Sequence, residues 1–388
     1  MSSSTSADCH VVAVPYPGRG HINPMMNLCK LLVSKLSNLT ITFVVTEEWL
    51  GIIGSSPKPS GITIQSIPNV IPSESIRASV FLEFLKAVDT KMEAPVEMLL
   101  DQLQLPVSTI IADVAMPWAL ALGQRKNIPV VSLWTISFDR GAEVIDYIPG
   151  ITPTRLEDLP AIFSGNGKKI LPDILNAFNS MKKSQFYCVG PSIPHNTLDS
   201  KNDANLDYFK WLNSQLAKSV LYVSLGSFLS VPGEQINEIV EGIRESGVRY
   251  FWVARGDTMR IQEACGKMGL VVPWCDQLKV LCHSSVGVFL THCGWNSTLE
   301  GVYAGVPVLT FPIGFDQTTD GEIIVDDWKI GMKCFMSLDE DESKKMRRNA
   351  SELKETCKQA LSKGGSSEAN LKAFVRNIKM SLICLPYN

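Results

Sequence analysis

Short unbroken apolar runs alternate along this chain with stretches whose apolar residues recur every three or four positions. Val11–Val14 reads as a buried strand, and the loop PYPGRGHINP follows it. Apolar residues then fall at Met25, Leu28, Cys29, Leu32 and Leu36, which is helical spacing. Ile41–Val45 and Ile62–Ile67 read as strands, Ser79–Gln104 as one long amphipathic helix, and Thr109–Ala112 as a strand ending at Asp113. A helix over Pro117–Lys126 and a strand at Val130–Leu133 follow. Apolar strands separated by helices imply a parallel sheet covered on both faces. From Phe138 to Ser184 the alternation gives way to irregular sequence containing Pro and Gly. Residues 190–205, GPSIPHNTLDSKNDAN, have the polar, Pro- and Asn-punctuated composition of an interdomain linker.

The alternation resumes with a strand at Val220–Ser224, a helix over Gly233–Glu245, and strands at Tyr250–Val253 and Leu270–Val272. Val286–Thr291 is a strand, His292–Asn296 a Gly-containing turn from which a helix starts, and Val308–Phe311 a strand leading to the polar pair Asp316–Gln317. Ser343–Lys363 and Ser367–Met380 read as surface helices, and the acidic run Asp339–Asp341 as a solvated face. The pattern predicts an α/β protein of two doubly wound domains facing each other across a cleft. Ligands of such sheets bind beyond the carboxyl ends of the strands. The expected divisions are 1–193 for the first domain, 194–366 for the second and 367–388 for a C-terminal helix.

Composition narrows the function. A chain of 388 residues exceeds the size at which single cores stop growing. A formal charge of −3 gives no basic field for nucleic acid. The start of the chain lacks a secretory leader and no apolar run approaches a membrane span, so the expected location is the cytoplasm, without stable membrane insertion. The 10 cysteines are scattered, as reduced thiols are, rather than spaced as a disulfide framework. Cys275, Cys282, Cys293, His283 and His292 fit no zinc spacing, so no metal is expected.

The chemistry concentrates in two places. A helix N-terminus straight after a buried strand offers N–H groups and a positive dipole end to an anion. His292, Gly294, Asn296 and Ser297 around that terminus are small or donors, which suits a diphosphate. Ser297-Thr298-Leu299-Glu300 also fits a helix capping box, with Glu300 as its second member. His21, in a Gly-flanked loop after the first strand, is suited to general-base work or to a structural hydrogen bond. Asp113 at a strand end can orient that His or cap the helix that follows.

From Trp274 to Gln317 the pattern W…Q…H…HCGWNS…E…GVP…DQ resembles the signature box of plant secondary-product glycosyltransferases that use UDP-sugars. PGRGHINPM resembles the stretch that carries the catalytic His of that family. The resemblance implies the GT-B architecture, with the C-terminal helix crossing back to the first domain. It implies His21 as general base and Asp113 as its partner. On the donor side, Trp274 would stack on uracil, with Cys275 and Gln277 beside it, and Glu300 would take the ribose hydroxyls. His292, with Gly294, Asn296 and Ser297, would meet the diphosphate, and Ser227 would reach it from the opposite wall. Trp295, Asp316 and Gln317 would hold the sugar, Gln at the last position accompanying glucose. The implied reaction is transfer from UDP-glucose with inversion to a hydroxyl or carboxyl of a small apolar phenolic or terpenoid. UDP-glucose is then the donor substrate, with no cofactor, and the protein is expected to be a monomer.

The chain departs from the family in carrying Asp276 where many members have Pro and Asp320 where many have Asn. It is also shorter than its relatives, with apparent jumps at Ser137–Phe138, Phe178–Lys183 and Phe335–Leu338. Those jumps motivate a second reading, a UDP-sugar-binding protein with little or no transferase activity. A third, a UDP-sugar epimerase or hydrolase, fits the box and the GHINP loop poorly.

Overall fold

The computed structural model describes residues 9–36, 38–54, 60–77, 79–135, 189–191, 193, 206–226, 231–254, 258–314, 316–334 and 339–383. Its apolar runs are strands covered on both faces. β1 (Cys9–Val14) is buried at every position and lies between β2 (Leu39–Thr46) and β4 (Thr109–Asp113), parallel to both. β3 (Ile62–Ile67) and β5 (Val130–Leu133) complete a parallel sheet of order β3-β2-β1-β4-β5. Around it lie α1 (Arg19–Lys35), α2 (Glu47–Ile53), α3 (Phe81–Lys91), α4 (Glu93–Gln102) and α5 (Trp118–Lys126).

The periodicity expected of α1 is realised: Ile22, Met25, Leu28, Cys29 and Leu32 pack with Val11, Ile41 and Phe43 in one core cluster. The single helix expected over Ser79–Gln104 is two helices that part at Met92. Pro95 is the physical reason. It lacks the N–H that a continuous helix would give to the Lys91 carbonyl, and its ring crowds that carbonyl, but it is tolerated in the first turn of α4.

The second sheet has the order β11-β10-β9-β6-β7-β8, again all parallel. Its first half runs α6 (Asp207–Asn213), β6 (Val220–Ser224), α7 (Gly233–Ser246), β7 (Arg249–Val253), α8 (Thr258–Cys265) and β8 (Leu270–Val272). Its second half runs α9 (Gln277–Leu281), β9 (Val286–Thr291), α10 (Trp295–Ala304), β10 (Val308–Thr310), α11 (Gln317–Glu322), a π-helical turn at Ile323–Asp327, β11 (Gly331–Lys333) and α12 (Glu340–Leu361). Side chains on both faces of this sheet form separate core clusters, one around Tyr222, Phe251 and Phe289 and the other around Val223, Tyr250 and Trp252.

The chain divides into two compact units. One comprises Met1–Thr135, Lys169–Ile193 and Ser366–Asn388, and the other Ile136–Lys168 and Pro194–Gly365. The last helix, α13 (Ser366–Ile383), belongs to the first unit, where Leu371, Phe374 and Ile378 join the cluster of β1 and α1. Ser367 Oγ donates to the Gly190 carbonyl in the same unit. The three apparent jumps in length, and most of the linker at 190–205, lie outside the described residues. Among those described, no helix is long and apolar enough to cross a membrane.

Strand order places the chemistry. In the first sheet the chain adds β2 and β3 on one side of β1, then returns to add β4 and β5 on the other. In the second it adds β7 and β8 beside β6, then returns with β9, β10 and β11. The carboxyl ends of β1 and β4, and of β6 and β9, are therefore topological switch points, where open α/β sheets leave a crevice for ligands.

Candidate active site

At the first switch point α1 starts earlier than its hydrophobic pattern suggests. Gly18, in extended backbone, is its N-cap, so His21 lies in the first helical turn rather than in a loop. His21 Nδ1 is 2.8 Å from Asp113 Oδ2 and 2.7 Å from Thr135 Oγ1, and Thr135 donates to the same carboxylate oxygen at 3.1 Å. Asp113 Oδ1 accepts the Ala115 N–H at 3.0 Å. The Asp113 side chain is 0% exposed and that of His21 is 19% exposed.

A fully buried carboxylate is tolerable only with donors on its oxygens, and these three groups supply them. With Nδ1 facing the carboxylate, the neutral ring carries its proton there, and Nε2 holds the lone pair. Asp113 does not cap the following helix, whose N-cap is Pro117. That alternative is removed.

The surroundings hold the ring in place. Tyr16 lies 5.0 Å from the His21 ring, centroid to centroid, and Phe84 meets Tyr16 edge-on at 5.8 Å. Burial and the Asp113 charge push the Tyr16 hydroxyl far up, which keeps it neutral. Behind Tyr16, the buried Arg77 donates to the Pro17 carbonyl at 2.6 Å and pairs with Glu74 at 2.6 Å. Glu48 in turn accepts the Glu74 N–H and the Ser73 hydroxyl. A charged brace therefore fixes the backbone that enters α1.

At the second switch point Gly294 is the N-cap of α10, and Trp295, Asn296 and Ser297 form its first turn. The first N–H groups of a helix have no intrahelical acceptor. Ser297 is inside the helix, so the capping-box reading of Ser297 and Glu300 does not hold. Glu300 instead accepts from Gln277 Nε2 at 2.8 Å, and the same amide reaches Ser297 Oγ at 3.0 Å. Burial, as the largest effect, pushes the Glu300 carboxyl up to about 7, with the Gln277 hydrogen bond opposing and Asp276 adding to the rise.

The His292 ring lies against the backbone of Gly226 and Gly294. A Cβ at either glycine would stand 2.5 Å from Nε2, and Gly226 has in addition the left-handed φ of +81°. Burial lowers the His292 pKa to about 4, so the ring is neutral. Its Nδ1 is buried and makes no hydrogen bond.

The remaining predicted residues divide. Trp274 is 56% exposed, a flat face turned to solvent. The Cys275 thiol is core, packed with Tyr222 and Phe289 and pushed up to about 12 by burial. Trp295 faces Trp328 at 6.1 Å. Gln317 is buried and its Oε1 accepts the N–H groups of Ile313 and Gly314 at 2.9 and 3.1 Å, which leaves the NH2 end as its free donor. Asp316 is the N-cap of α11, without capping through its side chain. Ser227 lies outside the described residues. Among the described residues no group of three or more His, Cys, Asp or Glu is arranged to hold a metal.

Three participants escape sequence reasoning: Thr135, Arg77 and Tyr222. Thr135 follows β5, the neighbour of β4, so the strand-end rule that picks out Asp113 extends to it. Tyr222, inside an apolar strand, looks like any core aromatic, yet its hydroxyl donates to Gln277 Oε1 at 3.0 Å. Arg77 gives no signal in sequence.

Comparison with known proteins gives the family and the fold. The family profile described as UDP-glucoronosyl and UDP-glucosyl transferase matches residues 196–342. UDP-glycosyltransferase 87A2 of Arabidopsis thaliana is 46% identical, over 95% of this chain and 96% of its own length. UDP-glycosyltransferase 87A1 of the same plant is 44% identical, over 94% and 99%. The alignment to the first spans 439 positions, more than the 388 residues here, so it includes positions with no counterpart in this chain. A crystal structure of a UDP-glucose:anthocyanidin 3-O-glucosyltransferase in complex with UDP superposes with a TM-score of 0.78 at 24% identity, covering 97% of this chain and 100% of the other. The fold is GT-B.

Proposed function

This chain belongs to the plant UDP-glycosyltransferase family, and from that premise we propose that it transfers glucose from UDP-glucose, with inversion, to a hydroxyl or carboxyl of a small apolar metabolite. The sugar nucleotide is the donor substrate of this family, and no resident cofactor takes part. The observation that carries the reading is the His21–Asp113–Thr135 constellation, with Nδ1 engaged by the carboxylate and Nε2 left as the base.

In this reading Nε2 removes the proton of an acceptor hydroxyl as its oxygen attacks the anomeric carbon. The bond from that carbon to the diphosphate breaks, UDP leaves with the electron pair, and Asp113 stabilises the imidazolium that forms. The N-terminus of α10 and the neutral His292 beside it meet the departing charge. Trp274 stacks on uracil and Glu300 accepts the ribose hydroxyls. Asp316 accepts from the sugar, and the Gln317 NH2 donates to it. Residues 1–193 with 367–388 hold the acceptor, residues 194–366 hold the donor, and the protein works as a cytoplasmic monomer.

The test is a donor panel of UDP-glucose, UDP-galactose and UDP-glucuronic acid with small phenolic and terpenoid acceptors, products being identified by mass and anomeric configuration. UDP-glucose should be preferred, and inversion of its α-linkage should give a β-glucoside. An α-product, or preference for another sugar, would refute the corresponding part. The alignment positions without a counterpart here favour, as second reading, a protein that binds UDP-sugars and turns over little.

A further inference from the structure

Behind Glu300 a chain of hydrogen bonds runs back into the core of the second unit. Tyr222, on the middle strand β6, is 1% exposed, and its ring stacks on Phe289 with centroids 5.0 Å apart. Its hydroxyl donates to Gln277 Oε1 at 3.0 Å, and Gln277 Nε2 donates onward to Glu300 and Ser297. The same hydroxyl also meets Cys275 Sγ at 3.5 Å, a weak acceptor, and the Ser224 side chain, which acts on it as a donor. A glutamine amide turns about its last torsion with little intrinsic preference. Turned over, this one would set its oxygen against the Glu300 carboxylate, removing a hydrogen bond and adding repulsion. The orientation observed satisfies both ends of the amide at once, Nε2 on Glu300 and Oε1 on a hydroxyl held by a core strand.

We propose that Tyr222 is a positioning residue of the donor site: through Gln277 it holds Glu300 in the orientation that accepts the ribose hydroxyls of a uridine nucleotide. The inference rests on the reading of Glu300 given above.

The charge environment supplies a readout that packing alone would not move. Around Glu300 stand Asp276 and Lys279 at the start of α9, Tyr222 from β6, Cys275 ahead of α9, and Cys282, which Lys354 and Lys358 of α12 approach. Burial holds Tyr222 and Cys275 protonated at neutral pH, so neither changes charge there. Glu300 does, with a value of about 7. Only its ionised form accepts hydroxyl donors on both oxygens, so UDP affinity should fall as pH drops through about 7. The Gln277 donor favours the ionised form, and losing it moves that midpoint upward.

The experiment measures UDP affinity by calorimetry from about pH 6 to about pH 8.5 for wild type, Tyr222→Phe, Gln277→Met, the double variant and Glu300→Gln, with a thermal melt of each. Tyr222→Phe keeps the stacked ring. It should weaken UDP at neutral pH by about threefold to tenfold and move the midpoint to higher pH, while the double variant should be no weaker than Gln277→Met alone. A lower melting temperature without a midpoint shift, or additive losses in the double variant, overturns the proposal. Wild type that binds UDP, weakened by Glu300→Gln but indifferent to Tyr222→Phe, overturns this inference alone. Wild type that binds no UDP overturns the donor-site reading with it.

Discussion

Trp274 exposes 56% of its surface, which is uncommon for the largest apolar side chain unless something flat covers it in the working protein. A core Trp and a stacking Trp make opposite demands on a substitution. Since this ring is exposed, Trp274→Ala should change stability by no more than about 0.5 kcal/mol. It should nevertheless weaken UDP by about 1–3 kcal/mol, roughly fivefold to a hundredfold in Kd. Paired thermal melts and calorimetry separate the two, and a stability loss with unchanged Kd would return the residue to a packing role. Trp274, His292 and Glu300 stand out in the sequence because they match a family motif at fixed spacing. Tyr222 was not legible, since a hydroxyl buried under an aromatic stack looks the same in sequence whether it works or fills space. Ser297 and Glu300 satisfied a local capping pattern that the helix start at Trp295 overrides.

At the scale of elements, strand and helix periodicities found nearly every long element, because an apolar run between two helical layers has few other solutions. Short elements without periodicity, α2 and β11 among them, left no comparable trace. Helix boundaries carried the larger error. α1 starts at Arg19, before its first apolar residue, because its entry is set from outside by Arg77, Glu74 and Glu48. That brace makes a prediction about the element. Arg77→Met keeps much of the side-chain volume but removes the ion pair with Glu74 and the hydrogen bond to the Pro17 carbonyl, so it should destabilise the protein by about 1–3 kcal/mol. Chemical denaturation would measure this, and an unchanged midpoint would show that the Pro17 carbonyl and Glu74 find other partners.

At the scale of the molecule, both sheets reverse their strand order once, and each reversal gathers its own set of candidate residues. His21 follows β1 and Asp113 ends β4, whereas Gly226 follows β6 and His292 follows β9. Alternation of elements announced two such sheets, but strand order is a long-range property that hydrophobic patterning does not encode. The placement of α13 in the first unit is of the same kind, since Leu371, Phe374 and Ile378 join a cluster whose other members lie far earlier in the chain.

The central claim is that His21 serves as the base of a glucosyl transfer, and one comparison tests it most directly. UDP release from UDP-glucose would be followed with and without small phenolic and terpenoid alcohols, for wild type and His21→Ala, with UDP binding measured on both. The account predicts acceptor-dependent release in wild type, a loss of at least about a hundredfold in His21→Ala, and UDP binding retained by the variant. Equal turnover by His21→Ala, or a wild type that binds UDP and transfers glucose to no acceptor, would contradict it.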